Sequence, residues 1–121
     1  MPLENSRAMA VIKCFFMIEE DEFEAMDFCA NRIWKEAIKK VSSSLSNKVL
    51  TEAAFTTEIV RVAKEYAKTF ERGYISSHGW LRPKDVQVYL NRFRTNLQRK
   101  IANVEKDPEV VEAWGIYRSK K

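Results

Sequence analysis

The sequence predicts an all-α fold, a small bundle of four to five helices, with a short N-terminal strand as an alternative for part of the first segment. Apolar residues recur at intervals of three and four along nearly the whole chain, which is the helical period. Short polar, Gly- or Pro-containing segments separate these stretches, as connections do in helical bundles. The 121 residues, 45% of them hydrophobic and 31% charged, suit a single domain over 1–121 with one ordinary core.

The first patterned segment covers about residues 6–41. Its apolar series runs in steps of three and four through Met9, Ile12, Phe16, Phe23, Met26, Ala30, Ile33 and Ala37. The acidic run at 19–22 interrupts this series, and carboxylates favour the first turn of a helix. Either one long helix or a new helix starting near that run is therefore expected. The stretch 9–18 is rich in Val, Ile and Phe, so a short strand is the alternative there.

The serine-rich stretch 42–47 predicts a loop, because hydroxyl and amide side chains compete with helical backbone bonding. A second helix is expected to begin near Thr51, where Thr51-Glu52 or Thr57-Glu58 can cap it. The same helix is expected to stop around Gly73.

A turn at 76–79 should follow, after which Trp80 and Leu81 are expected to pack back on the core. Pro83 suits the first turn of a third helix that runs to about Val104.

Asp107 and Pro108 form a start signal, with the aspartate as the cap and the proline fixing the first turn. The last short helix is expected to end before Gly115. The chain ends, about 1–5 and 118–121, are expected to be frayed.

Cysteine and hydropathy patterns limit the class of protein. Cys14 and Cys29 are too few for a disulfide framework, lack the spacing of a zinc site and lie in apolar runs, so both are interpreted as small core residues in a reducing compartment. The apolar stretch 8–18 is interrupted by Lys13 and is too short to span a bilayer. We expect a cytoplasmic protein with no membrane contact.

No catalytic or cofactor motif is visible. His78 is the only histidine, and its place in a Ser-Ser-His-Gly turn favours a local hydrogen-bonding role. The sequence contains neither an activated nucleophile nor a phosphate-binding loop, so we expect a protein that is not an enzyme and needs no cofactor or metal.

The charge is unevenly distributed. The chain carries a net +4, yet residues 81–106 hold seven cations against two carboxylates, a local net of +5. Residues 1–58 carry −3 and residues 59–106 carry +7. Such asymmetry indicates an anionic partner, or an acidic half that docks on the basic half of a second copy.

Nucleic-acid binding through the basic face of the 83–105 helix is the preferred functional hypothesis. Lys and Arg neutralise phosphates, whereas Arg, Asn and Gln can also pair with base edges. At 100° per residue, polar side chains lie opposite the apolar stripe of this helix or along one flank. The candidate contacts are Arg82, Lys84, Asn91, Arg92, Arg94, Thr95, Gln98, Arg99 and Lys106.

The alternative hypothesis is a protein-interaction module, an adaptor or an inhibitor of a larger assembly. Glu20, Glu24 and Asp27 share one helix face and could dock a basic partner, and Trp80 would be a natural contact if exposed. The acidic cluster matches neither the EF-hand pattern nor the Glu-x-x-His pattern of di-iron bundles, so no metal is assigned. A homodimer through the N-terminal helix is part of this hypothesis.

The segment 86–94 resembles the recognition helix of homeodomains, and 54–58 resembles the entry to their first helix. The resemblance covers less than half of the chain. Arg92 stands where that family has its adenine-reading asparagine, and the span between the two pieces is several residues too short for the intervening helix and turn. No functional residue is carried over.

Overall fold

The computed structural model describes residues 22–43 and 49–120 of the chain. These residues form four α-helices, as the helical period of the sequence predicts. The helices are α1 (Glu22–Ser42), α2 (Glu52–Ser77), α3 (Pro83–Ala102) and α4 (Pro108–Ser119), with a 3-10 turn at Val104–Lys106. These residues include no strand, so the fold is the predicted all-α bundle. The strand alternative at 9–18 falls outside the described residues, as do Cys14, Glu20 and most of the predicted loop.

Helix α1 is the central helix, because it packs along both α2 and α3 and also contacts α4. Its buried stripe follows the predicted steps of three and four and includes Met26, Cys29, Ala30, Ile33, Trp34 and Ala37. The core interpretation is therefore confirmed for Cys29. Phe23 is the exception among the described members of the series, with 43% of its surface exposed. Its ring meets the edge of Tyr89 at 5.3 Å, on the flank of α1 that faces α3.

Side-chain contacts fix the directions of the helices. The Tyr74 hydroxyl, near the end of α2, donates to Glu22 Oε2 at the start of α1 over 3.0 Å, so α1 and α2 are antiparallel. Burial and the Glu22 carboxylate raise the pKa of Tyr74 well above its usual range, which keeps the hydroxyl a donor. Phe70 and Phe93 join α2 to α3, their ring centroids 4.4 Å apart. The short connection at 78–82 makes this second pair of helices antiparallel too.

The predicted start signals of the helices are confirmed. Thr51 Oγ1 accepts a hydrogen bond from the Ala54 amide over 3.2 Å, and Asp107 Oδ1 accepts one from the Glu109 amide over 2.9 Å. Prolines occupy the first turns of α3 and α4, where a missing amide hydrogen leaves no helical bond unmade. Local sequence chemistry thus sets where these helices begin.

The predicted end of α2 near Gly73 is wrong, since the helix continues to Ser77. Gly73 keeps an ordinary helical backbone, because no glycine in the described residues has a positive φ. The next residue, Tyr74, is fully buried and packs against Phe70 and His78, so an extra turn of helix is stabilised by core contacts. Tertiary packing overrides the weak helix propensity of glycine here.

The end of α4 also differs from the prediction. The helix passes through Gly115 to Ser119, so Arg118 and Ser119 are helical rather than part of a frayed tail. The cause is Tyr117, which is buried, packs on Phe55 with ring centroids 5.0 Å apart, and accepts a hydrogen bond from the Leu50 amide through its hydroxyl. A core residue beyond the glycine holds the last turn in helical form.

The connection between α2 and α3 contradicts another expectation. Leu81 is half-buried against the core as predicted, but Trp80 points away from it with 77% of its surface exposed. Two smaller differences are that α1 includes Ser42, assigned to the loop, and that α3 ends at Ala102, two residues earlier than expected. The chain tightens into the 3-10 turn after Asn103, which explains the early end.

None of the helices in the described ranges combines the length and apolar character that crossing a bilayer requires.

Asp107 connects the start of α4 to the core and provides a test of this packing. Its Oδ2 accepts from the buried Trp34 indole Nε1 over 2.9 Å, while Oδ1 caps α4. Asp107→Ala should lower the free energy of unfolding by about 2 kcal/mol, because it removes both bonds. Asp107→Asn keeps one oxygen to cap α4 but replaces the oxygen that accepts from the indole with a donating NH2 group, so about half of that loss is expected. Urea denaturation measures both, and equal losses would show that the cap contributes nothing.

Candidate nucleic-acid interface

The third helix presents an apolar face to the core and a polar face to solvent. Val86, Leu90, Phe93 and Leu97 are buried against the other helices. The predicted contact residues Lys84, Asn91, Arg92, Thr95, Gln98 and Arg99 are exposed on α3, as are Arg82 before it and Lys106 after it, whereas Arg94 is half-buried. The division into faces is therefore as the spacing predicted.

Arg92 is joined to the first helix. Its Nε and Nη2 donate to the two carboxylate oxygens of Asp27 over 2.8 and 2.9 Å, a bidentate ion pair between α3 and α1. Asn96 Nδ2 also donates to Asp27 Oδ1. One predicted nucleic-acid contact is thus bound to one predicted partner-binding carboxylate, and each neutralises the other. A phosphate that approaches Arg92 therefore meets a cation whose charge Asp27 already compensates.

The same geometry stabilises the ionised form of Asp27. The hydrogen bonds from Arg92 lower the pKa of Asp27, burial opposes this effect, and the charge of Arg92, the Asn96 amide and the more distant Arg99 lower the pKa further. A carboxylate whose pKa is lowered by folding adds stability above its unfolded pKa, and this stability is lost as the pH falls through the folded value.

Asp27→Asn should therefore lower the free energy of unfolding at pH 7, and the difference from the wild type should shrink below about pH 4, where the unfolded aspartate is protonated. Urea denaturation from pH 7 down to pH 3 measures this. Asp85→Asn is the control. It removes only the exposed pair between Arg82 and Asp85 at the start of α3, so it should change the free energy of unfolding little. A difference at Asp27 that is unchanged across the whole pH range would contradict the ion pair.

Arg94 is joined to the second helix. Its Nε donates to Glu71 Oε1 over 2.9 Å, and its Nη1 donates to Gln87 Oε1 and Asn91 Oδ1 over 2.9 and 3.0 Å. Arg92 and Arg94 thus connect α3 to its two neighbours. Asn91 is also less available to read a base, because Arg94 occupies its amide oxygen. Bidentate pairing with adenine needs that oxygen and the amide nitrogen together.

Arg82 lies before the helix, and its Nε donates to Asp85 Oδ2 over 2.9 Å in a local, exposed pair. Exposed pairs of this kind are weak and screened by salt. Arg82 is therefore held by a weaker internal ion pair than Arg92 or Arg94, and it can exchange Asp85 for another anion.

Exposed cations without an ion pair to a described residue occur on several helices, Lys35 and Lys39 of α1 among them, and those near the predicted interface lie on α3 and α2. Lys84, Arg99 and Lys106 make no ion pair with another described residue. On α2, Lys64 and Lys68 precede Glu71 by seven and three residues, so they share its helix face. Neither of them makes an ion pair with a described residue either.

Because Glu71 contacts Arg94, that face of α2 borders α3, and the 3-10 turn beyond α3 contacts α2 again. The second and third helices therefore meet near Glu71 and Arg94 and again at the 3-10 turn. We refer to the resulting surface as the cationic face. It consists of Lys64, Lys68, Lys84, Thr95, Gln98, Arg99 and Lys106.

The structure describes three of the four residues predicted for a protein partner. Glu24 is exposed, but Asp27 is bound to Arg92, and Glu20 lies outside the described residues. Trp80 is exposed in the connection before α3. On the N-terminal helix expected to form a homodimer, Met26 is fully buried within its own subunit, so this residue is not available to a second copy.

His78 has the local role that its turn predicts. Its Nδ1 lies 2.9 Å from the Tyr74 carbonyl oxygen and 3.0 Å from Ser77 Oγ, and its ring stacks on Tyr74. Across residues 22–43 and 49–120, no three His, Cys, Asp or Glu side chains are grouped in a way that could hold a metal ion.

Sequence reasoning missed the residues that compensate the arginines and those that extend the surface. Glu71 is the only carboxylate between residues 66 and 84, which marks it as an ion-pair candidate, but its contact with α3 depends on the packing of two helices. Asn96 gave no signal. Lys64 and Lys68 looked like an ordinary polar face of α2, because only the fold brings that face beside α3.

Comparison of the chain with protein-family models, with curated proteins and with solved structures gave no match in any of the three.

Proposed function

We propose that this chain is a non-enzymatic nucleic-acid-binding protein that contacts the phosphate backbone through the cationic face. The observation that carries the proposal is the sorting of the basic residues. Arg92 and Arg94 are bound by carboxylates of neighbouring helices, whereas Lys64, Lys68, Lys84, Arg99 and Lys106 make no ion pair with a described residue. The cytoplasmic, cofactor-free protein expected from the sequence is part of the same proposal.

Electrostatics support an extended anion. The helical rise of about 1.5 Å per residue separates the Cα atoms of Lys84 and Arg99 by roughly 22 Å along α3. Cations spaced over such a length match a chain of phosphates better than a single small anion. Each phosphate that a lysine or arginine neutralises releases condensed counterions, and this release supplies sequence-independent affinity.

The internal hydrogen bonds favour recognition of the backbone over recognition of the bases. Asn91 and Gln87 are both acceptors for Arg94, so their amides are not free for paired bonding to a base edge. Thr95 and Gln98 stay exposed between the cations and can donate to phosphate or sugar oxygens. Weak sequence preference follows from this arrangement.

The test is fluorescence anisotropy of labelled single- and double-stranded oligonucleotides, titrated with the full chain from low to physiological salt. Binding whose log K falls linearly with log salt is the expected result, since it reports released counterions. Absence of binding even at low salt would refute the proposal and would leave the cationic face as a surface for an acidic protein partner.

A further inference from the structure

The connection between α2 and α3 holds an aromatic side chain out in solvent. Among the described residues, Trp80 is the most exposed large apolar side chain. The turn that carries it is anchored on both sides, because His78 is buried against Tyr74 and the Leu81 amide donates to the His78 carbonyl oxygen over 3.0 Å. The indole therefore projects from a fixed support.

Cations follow Trp80 directly. Arg82 and Lys84 are exposed, two and four residues further along the chain. Four residues of extended chain span at most about 14 Å, so the Cα atoms of Trp80 and Lys84 lie within that distance of each other. Trp80 thus stands at the end of the cationic face where α3 begins.

We infer that Trp80 stacks on an unpaired base, and that the nucleic acid bound by the cationic face is single-stranded. This inference rests on the proposed function and adds the class of ligand. An aromatic platform beside a row of cations is how sequence-tolerant proteins bind single strands. The faces of bases in a duplex are covered by their neighbours, so a fixed tryptophan gains little there. The cations beside the indole favour a polyanion over an apolar protein surface.

The test compares an oligothymidylate of about 15 nucleotides with a duplex of equal length, using the full chain. The single strand should bind more tightly and should quench tryptophan fluorescence. Trp80→Ala should weaken single-strand binding by about ten- to one-hundred-fold, because one stacked base is lost. The salt slope should stay unchanged, since no charge is removed. Trp80→Phe should keep most of the affinity and lose the quenching, and Trp114→Phe, at a half-buried residue of α4, is the control.

The outcomes separate this inference from the proposed function. Two results would overturn the stacking but keep the cationic face: salt-dependent binding that Trp80→Ala leaves unchanged, or duplex binding at least as tight as single-strand binding. Trp80 would then be left as a candidate contact for a protein partner. Absence of any oligonucleotide binding would overturn both. Because Trp80 is 77% exposed, its replacement should leave circular dichroism and thermal unfolding unchanged.

Discussion

Reversing the charges of Lys84 and Arg99 together should weaken oligonucleotide binding by about ten-fold or more and leave the fold intact. Both side chains are exposed on α3 and make no ion pair with a described residue, so their replacement breaks no observed internal salt bridge. The slope of log K against log salt should become less steep by about 1.4 for a single strand, the contribution of two phosphates. Anisotropy titrations of Lys84→Glu/Arg99→Glu at several salt concentrations measure both quantities.

Two control variants make this result specific. Lys35→Glu/Lys39→Glu changes the net charge equally on exposed positions of α1, and Lys39, like Arg99, lies in the last turn of its helix. This control should lose much less affinity. Asp27→Asn removes the carboxylate that neutralises Arg92, so it should raise the affinity. Equal losses in the two double variants would show that only net charge matters and would contradict a defined face.

Truncating Phe93 should give the largest stability effect. The side chain points from α3 into the core, where it is fully buried and packs against the ring of Phe70 on α2. Phe93→Ala should lower the free energy of unfolding by about 3–5 kcal/mol through lost apolar contacts and a cavity. Domains of this size are stable by only about 5–15 kcal/mol, so the variant should unfold on modest heating.

Val88→Ala is the matched control for Phe93→Ala, because Val88 lies on the same helix with 45% of its surface exposed. Its change in unfolding free energy should stay within about 0.5 kcal/mol. Urea denaturation followed by circular dichroism measures both variants. A loss below about 1 kcal/mol for Phe93→Ala would show that the seam between α2 and α3 is not packed as described.

Much of the fold could be predicted because the signals are local. The caps at Thr51 and Asp107 and the prolines at 83 and 108 act within one helical turn, and the apolar period reports the buried side of each helix. The predicted ends of α2 and α4 failed for one shared reason. A buried tyrosine, Tyr74 or Tyr117, follows each glycine closely and keeps the helix intact through contacts that lie far away in sequence.

The candidate site could be predicted as a helix face but not as a set of available groups. Spacing placed Arg92 and Arg94 with the other cations, and only the packed bundle brings Asp27 and Glu71 to them across more than 60 and 20 residues of sequence. Trp80 was expected in the core because tryptophan is usually an anchor. In the structure, the tight turn after buried His78 places the indole beside the His78 ring, with the ring centroids 5.8 Å apart, and leaves it mostly in solvent.

The most direct test of the central claim is a nuclear magnetic resonance titration of the ¹⁵N-labelled full chain with the oligothymidylate. The cationic face predicts amide shift changes that concentrate around Lys84, Thr95, Gln98 and Arg99 on α3 and around Lys64 and Lys68 on α2. Amides around Lys35 and Lys39 on α1 should stay unchanged. Shift changes centred on α1, or shifts spread evenly over the surface, would contradict the claim.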